Sequence, residues 1–239
     1  METASYTTLA RQTGLMREMQ IIANNIANSS TTGFRQEGII FSEYIVQGNQ
    51  GDHIAMPASR IGNSSFAQGE LEHTGGSLDL AVEGDGFFLV ATPNGDRLTR
   101  AGSFSATAEG ELVTHDGYAV LDTGGAPVFL PNNIMNLSVA ADGTISAYGR
   151  ELGQIGVFDP IDSMSMEREG GVFFKSDAGW EPVESPTIKQ GYVENSNVNQ
   201  VLQISRMIEV QRAYEIGQSF LEREDERVRS AVKTIIGQG

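Results

Sequence analysis

The sequence predicts an α+β protein, with an N-terminal and a C-terminal helix pairing as a coiled-coil-like module and a central all-β domain between them. Three observations carry that expectation. Apolar and small residues step by three and four near both ends of the chain, as in a helical seam. Between the ends, short apolar runs alternate with tight-turn dipeptides, and no helical period interrupts them. The net charge of −15 falls wholly in the middle. Residues 1–41 carry three basic and three acidic side chains, residues 201–239 six of each, and residues 42–200 seven basic against 22 acidic. Neutral ends are free to pack against copies of themselves, while an acidic middle favours solubility and repels its like.

The first part, residues 1–35, centres on a helix expected from about Ser5 or Thr7 to about Ala27. Its stripe is Leu9, Met16, Met19, Ala23 and Ile26. The run Asn28 to Gly33 ends it, because hydroxyl side chains compete for backbone hydrogen bonds and Gly33 is free to take a positive φ. Such a helix spans roughly 30–35 Å. Asn24 and Asn25 are mediocre helix formers inside it. Either they face solvent, or one is buried at a helix–helix contact and sets its register. Residues 36–68 form an extended connector, Gly-, Asn- and Ser-rich from Gln47 to Ser65. Within it, residues 39–46 are apolar and read as a strand or as an arm packed on the helix.

Residues 69–191 form the β domain. Apolar runs at 78–82, 87–90, 119–121, 128–130, 155–158 and 172–174 are separated by turn signals such as Asn94-Gly95, Asp116-Gly117 and Asp142-Gly143. Residues 192–239 open on a polar segment, where Asn197 with Gln200 three positions later is expected to cap the last helix. That helix runs to about Ile236, roughly 35–40 residues and about 55 Å. Its stripe is Met207, Val210, Tyr214, Gly217, Leu221, Val228, Ala231 and Ile235, with Glu224 on the seam as a break or a register residue.

Several function classes are excluded. There is no cysteine, so no disulfide and no thiolate metal site. No N-terminal run reads as a cleaved signal peptide, and no stretch approaches the ~20 apolar residues of a membrane span. No basic patch suggests nucleic acid. Gly84-Asp85-Gly86 opens onto Phe87 without the Gly-Lys-Ser/Thr of a phosphate loop and reads as a turn. Asp79, Glu83 and Asp85 lack the spacing of a cation loop, and His53, His73 and His115 share no ligand spacing. No catalytic residues, metal, cofactor or small-molecule substrate are therefore expected. The rivals from other classes are a carbohydrate-acting enzyme using those acids and an adhesin-like binding module; neither explains the helical ends.

Six blocks then carry a resemblance. Ala23-Asn-Asn-Ile-Ala-Asn28 with Thr31-Thr-Gly-Phe-Arg35 is similar to the N-terminal signature of flagellar rod and hook proteins. Gln68-Gly-Glu-Leu71, Leu78-Asp-Leu-Ala81 with Gly84-Asp-Gly-Phe-Phe88, and Thr99-Arg-Ala-Gly-Ser-Phe104 resemble their central part. Gly191-Tyr-Val-Glu-Asn-Ser-Asn-Val198 and Met207-Ile-Glu-Val-Gln-Arg-Ala-Tyr-Glu215 resemble their C-terminal part. Ser29-Ser30 departs from the family's usual apolar-then-polar pair. The blocks touch both ends and the centre, in order. The length leaves no room for a hook protein's extra domains, and residues 35–44 resemble the proximal rather than the distal rod type.

The resemblance implies a structural subunit of the bacterial flagellar basal body. Such a subunit is exported without a cleaved signal through the flagellar type III apparatus and polymerises in the periplasm. Its partners are copies of itself and other rod proteins. The terminal helices, with Leu9, Met16, Met19, Ala23, Asn24, Asn25, Ile26, Asn28, Gly33 and Phe34 at one end and Met207, Val210, Tyr214, Gly217, Leu221, Val228 and Ile235 at the other, are expected to form the inner tube, with the β domain outside.

Overall fold

The computed structural model describes residues 2–47, 53–131 and 137–236, with side chains described from Thr7 onward except over residues 40–63 and at Ile235. The chain divides into two compact units, one of residues 1–27, 37–65 and 199–239, the other of residues 28–36 and 66–198.

The first unit holds helix α1, Glu2–Ala27, and helix α2, Gln200–Ile236. Both lengths agree with the apolar periods. The cap of α2 differs from expectation. Leu202 N–H donates to the Asn199 side chain at 3.1 Å, so Asn199 caps the helix. Asn197 is occupied in the other unit, where its amide holds Gln36 N and Ala67 O at 2.6 and 2.7 Å. The connector also differs. Strand β1, Glu37–Gln47, pairs antiparallel with strand β2, His53–Ser64, in register from Glu37 opposite Ser64 to Gln47 opposite His53, with an irregularity between Gly38 and Ile40. Polar, Gly-rich sequence hides a strand here because the ladder is made by backbone groups, whatever side chains they carry. Residues 48–52 of the expected connector lie outside the described residues. The hairpin packs along α1, which joins the strand and the arm readings of residues 39–46.

The second unit is β-rich. Its largest sheet among the described residues is antiparallel and centres on Phe87–Thr92, flanked by Gly95–Thr99 and by Ala119–Val120 and Val157–Pro160. Phe87 and Leu89 pack into one apolar cluster with Leu98, Phe158 and Phe174, whereas Phe88 and Val90 enter another with Leu80, Leu112, Ile145 and Ile155. Alternate side chains of a strand face opposite ways. A strand covered on both faces is therefore an unbroken apolar run, and Phe87 to Val90 is one. Residues 28–35, grouped with the first helix on sequence, and residue 36 belong to this unit, with Phe34 fully buried in the second cluster.

No described helix is long and apolar enough to cross a membrane.

Candidate assembly surface

The helix pair meets through polar side chains. Gln12 Nε2 donates to the Tyr214 carbonyl of α2 at 2.9 Å. Gly217 makes room for it; a Cβ there would sit 3.1 Å from Gln12 Cδ and closer still to Nε2. Glu18, nearly buried, accepts from Arg206 Nε at 2.8 Å, and Arg206 also reaches Glu209 at 3.1 Å. Those carboxylates hold the Arg206 pKa above its ordinary value, the Glu18 hydrogen bond first. Asn25, 1% exposed, receives Glu37 N–H at 2.9 Å and donates to Glu37 O at 2.8 Å and to Gln203 Oε1 at 3.4 Å. It closes on β1 as a neighbouring strand would and ties it to both helices.

The predicted stripes divide on this geometry. On α2, Val210 is buried and Met207, Tyr214, Gly217, Leu221 and Glu224 are half-buried, so these residues lie on the more buried face of the helix. Glu224 is engaged by Arg227, whose Nε donates at 2.9 Å. Val228 is exposed, and the Ile235 side chain lies outside the described residues. On α1 the inward line is Gln12, Leu15, Glu18, Ile22 and Asn25, with Met19 and Ile26 at its edge. Leu9, Met16 and Ala23 are exposed. The line is turned by one residue, about 100°, from the apolar stripe. Of the two asparagines, Asn25 is the buried one; Asn24 is exposed, donating to Glu37 Oε2 at 3.3 Å.

In the β unit, the blocks that carried the resemblance converge. Glu194, 0% exposed, forms ion pairs with Arg35, also 0% exposed, and with Arg100 Nη1 at 3.2 Å, and it accepts Gly69 N–H at 2.8 Å. Arg35 Nη1 also reaches Ala67 O at 2.7 Å, and Arg100 Nη2 reaches Gly84 O at 2.7 Å. Burial pushes both arginine pKa values down, and Glu194 opposes that shift. Gly33, at φ 71°, donates to Glu194 O at 2.7 Å, and a Cβ on it would overlap the Ala101 backbone. Arg168 stacks over Phe34, 4.4 Å from the ring centre. Asn28 is half-buried and accepts from the Thr31 hydroxyl at 3.2 Å. Gly33 and Phe34 thus hold the turn to the β unit and take no part in the helix pair.

The candidate acids do not form a site. Asp79 accepts from Thr74 and Ser103 at 2.6 and 3.0 Å in a turn, and Glu83 pairs with Lys189 at 2.7 Å. Among the described residues, no group of three His, Cys, Asp or Glu is placed to hold a metal ion. Sequence reading missed Gln12, Glu18, Gln203 and Arg206 at the seam, and Glu194 and Arg100 in the clasp. Gln12 falls on the heptad between Leu9 and Met16 and was the available signal.

Comparison with known proteins bears on all three parts of the chain. Residues 7–35 match the family described as flagella basal body rod protein. Residues 81–147 match the flagellar hook protein FlgE/F/G D1 domain, and residues 189–234 the C-terminal part of flagellar basal body rod FlgEFG proteins. The chain is 37% identical to the flagellar basal-body rod protein FlgF of Caulobacter vibrioides, over 98% of each chain. It is 35% identical to the protein of the same name from Mesorhizobium japonicum, again over 98% of each. It is 31% identical to the flagellar basal-body rod protein FlgG of Buchnera aphidicola, over 88% of this chain and 91% of that one. With relatives aligned along nearly their whole length and the family's blocks meeting in one buried clasp, the chain belongs to the flagellar basal-body rod protein family, on its FlgF side.

Proposed function

We propose that the chain is a structural subunit of the flagellar rod, of the proximal FlgF type, that polymerises through its terminal helices with copies of itself and with other rod proteins. One observation carries the reading beyond the family likeness. The helix pair hides polar side chains beside Ile22 and Val210 and shows apolar ones. Gln12, Glu18, Asn25 and Gln203 are buried, while Leu9, Met16, Ile204, Ile216 and Phe220 are 45–70% exposed. A helix pair at the surface of a lone protein has the opposite arrangement. Exposed apolar rows on both helices are surface awaiting neighbours. The polar seam sets the register of the pair, and packing among subunits supplies the stability and completes a coiled-coil-like tube wall. The subunit reaches the periplasmic rod through the flagellar type III apparatus, without a cleaved signal. The many distributed contacts of such a tube resist twisting, as a shaft that transmits torque requires.

Removal of residues 1–27, which leaves Phe34 and Arg35 of the β unit in place, tests this. Detergent-extracted basal bodies should contain the full chain and lack the truncated one, expressed at equal level. Basal bodies that keep the truncated chain would overturn the proposal.

A further inference from the structure

The two helices differ in length, and the excess has a place to go. The pairs Gln12–Tyr214, Glu18–Arg206 and Asn25–Gln203 run antiparallel. Continued at the same register, α1 runs out opposite about residue 225, so the last three turns of α2, about 16 Å, extend past it. On that overhang Val228, Val232 and Ile236 recur every fourth residue and are 49, 48 and 74% exposed. At the same end of the contact, just short of the overhang, a groove of about 280 Å³ opens between the helices, lined by Leu15, Ala213, Ile216 and Phe220 around Gln12, with Arg11 at its rim. The Gln12 side chain is 8% exposed, and its Oε1 has no hydrogen-bond partner. A buried acceptor left unpaired is destabilising, so the groove lacks a donor as well as apolar contact.

We infer that the α2 overhang of one copy of this chain seats in the α1–α2 groove of the next. Three features argue for a second copy. The chain carries both halves of the contact, at different residues of one helix pair, so copies of this chain suffice to make it. The overhang supplies what the groove lacks: an apolar row at helical spacing, and the Lys233 ammonium beside Val232 as donor for Gln12 Oε1. Charge also matches. No carboxylate accompanies Arg11 among the groove residues, and the overhang brings exposed Glu226, whereas Arg227 and Arg229 are engaged by Glu224 and Asp225. The inference rests on the rod reading and adds an address to it.

The chain has no cysteine, so thiols can be placed singly. Cells expressing Ile216→Cys together with Val232→Cys should yield, on mild oxidation of isolated basal bodies, a disulfide-linked dimer of this chain. Gln218→Cys with Val232→Cys should not, because residue 218 is exposed on α2 and does not line the groove. Basal bodies that hold both variants and give no more 216–232 than 218–232 dimer overturn this contact and leave the rod reading standing. Linkage of Val232→Cys to a different rod protein instead overturns the choice of a second copy. Absence of the unsubstituted chain from basal bodies overturns the rod reading, and this inference with it. For the purified chain, Val232→Asp should lose the fast-sedimenting species formed at high concentration. Unchanged sedimentation would count against the contact.

Discussion

Glu194→Gln is the most informative single change in the β unit. The carboxylate stands between two buried guanidinium groups, Arg35 at 0% and Arg100 at 3% side-chain exposure, and is itself fully buried. One negative charge already serves two positive ones. Removing it leaves two buried cations with only neutral acceptors, backbone carbonyls and the glutamine amide oxygen, and breaking a buried ion pair in this way costs about 3–5 kcal/mol. For a unit of this size, each kcal/mol moves the midpoint by about 2–4 °C, so the transition should fall by roughly 6–20 °C. The assay is supplied by the sequence: Trp180 is the only tryptophan, and it packs against the Phe87, Phe158 and Phe174 cluster of the same unit. Its fluorescence on heating reports this unit alone. Arg35→Met provides the contrast. It removes one of the two cations, along with Nε and Nη2 atoms that have no partner, and Ala67 O keeps the Asn197 amide at 2.7 Å. Its cost should stay within about 2 kcal/mol. A Glu194→Gln protein within about 1 kcal/mol of the parent, or an Arg35→Met protein less stable than it, would refute the charge argument.

Gly217→Leu should push Gln12 out of the seam and abolish motility, while the Trp180 transition stays where it was; normal swimming would count against the seam. Asn25→Ala removes three hydrogen bonds that join α1, β1 and α2, and should cost the helical unit about 2–3 kcal/mol, read as faster exchange of the Glu37 amide. If association is opposed by the acidic middle, moderate salt should promote polymerisation of the purified chain, since screening acts over about 8–10 Å; light scattering that falls with added salt would contradict this.

The helices and the β unit were legible because their signals are local. Three- and four-residue steps mark a helix wherever it packs, and Gly at a turn needs only its own φ. The face of α1 was not legible in the same way. Apolarity pointed to Leu9, Met16 and Ala23, which are exposed, because the outward surface of this helix is itself apolar. Its inward face is written in Gln12, Glu18 and Asn25, whose roles depend on partners about 180–200 residues away in the case of Tyr214, Arg206 and Gln203. The same holds for the clasp. Arg35, Arg100 and Glu194 each sit in a recognisable block, but nothing in any one block shows that the three share one buried site. Strand β2 escaped notice for a different reason: its ladder is made by backbone groups that the composition of residues 53–64 does not betray.

The two units use buried polarity for opposite ends. In the β unit, the ionic clasp lies among close-packed apolar side chains. Its charges are met by one another and by backbone carbonyls of the same unit. In the helical unit, the polar seam lies between helices whose outer rows are apolar, so little hydrophobic stabilisation is realised within one chain. The seam then contributes specificity ahead of stability. It favours one register of α1 on α2. In the proposed assembly neighbours would cover Leu9, Met16, Ile216 and Phe220, and folding of the helical part would be coupled to growth, each added copy burying rows exposed on the copy before it.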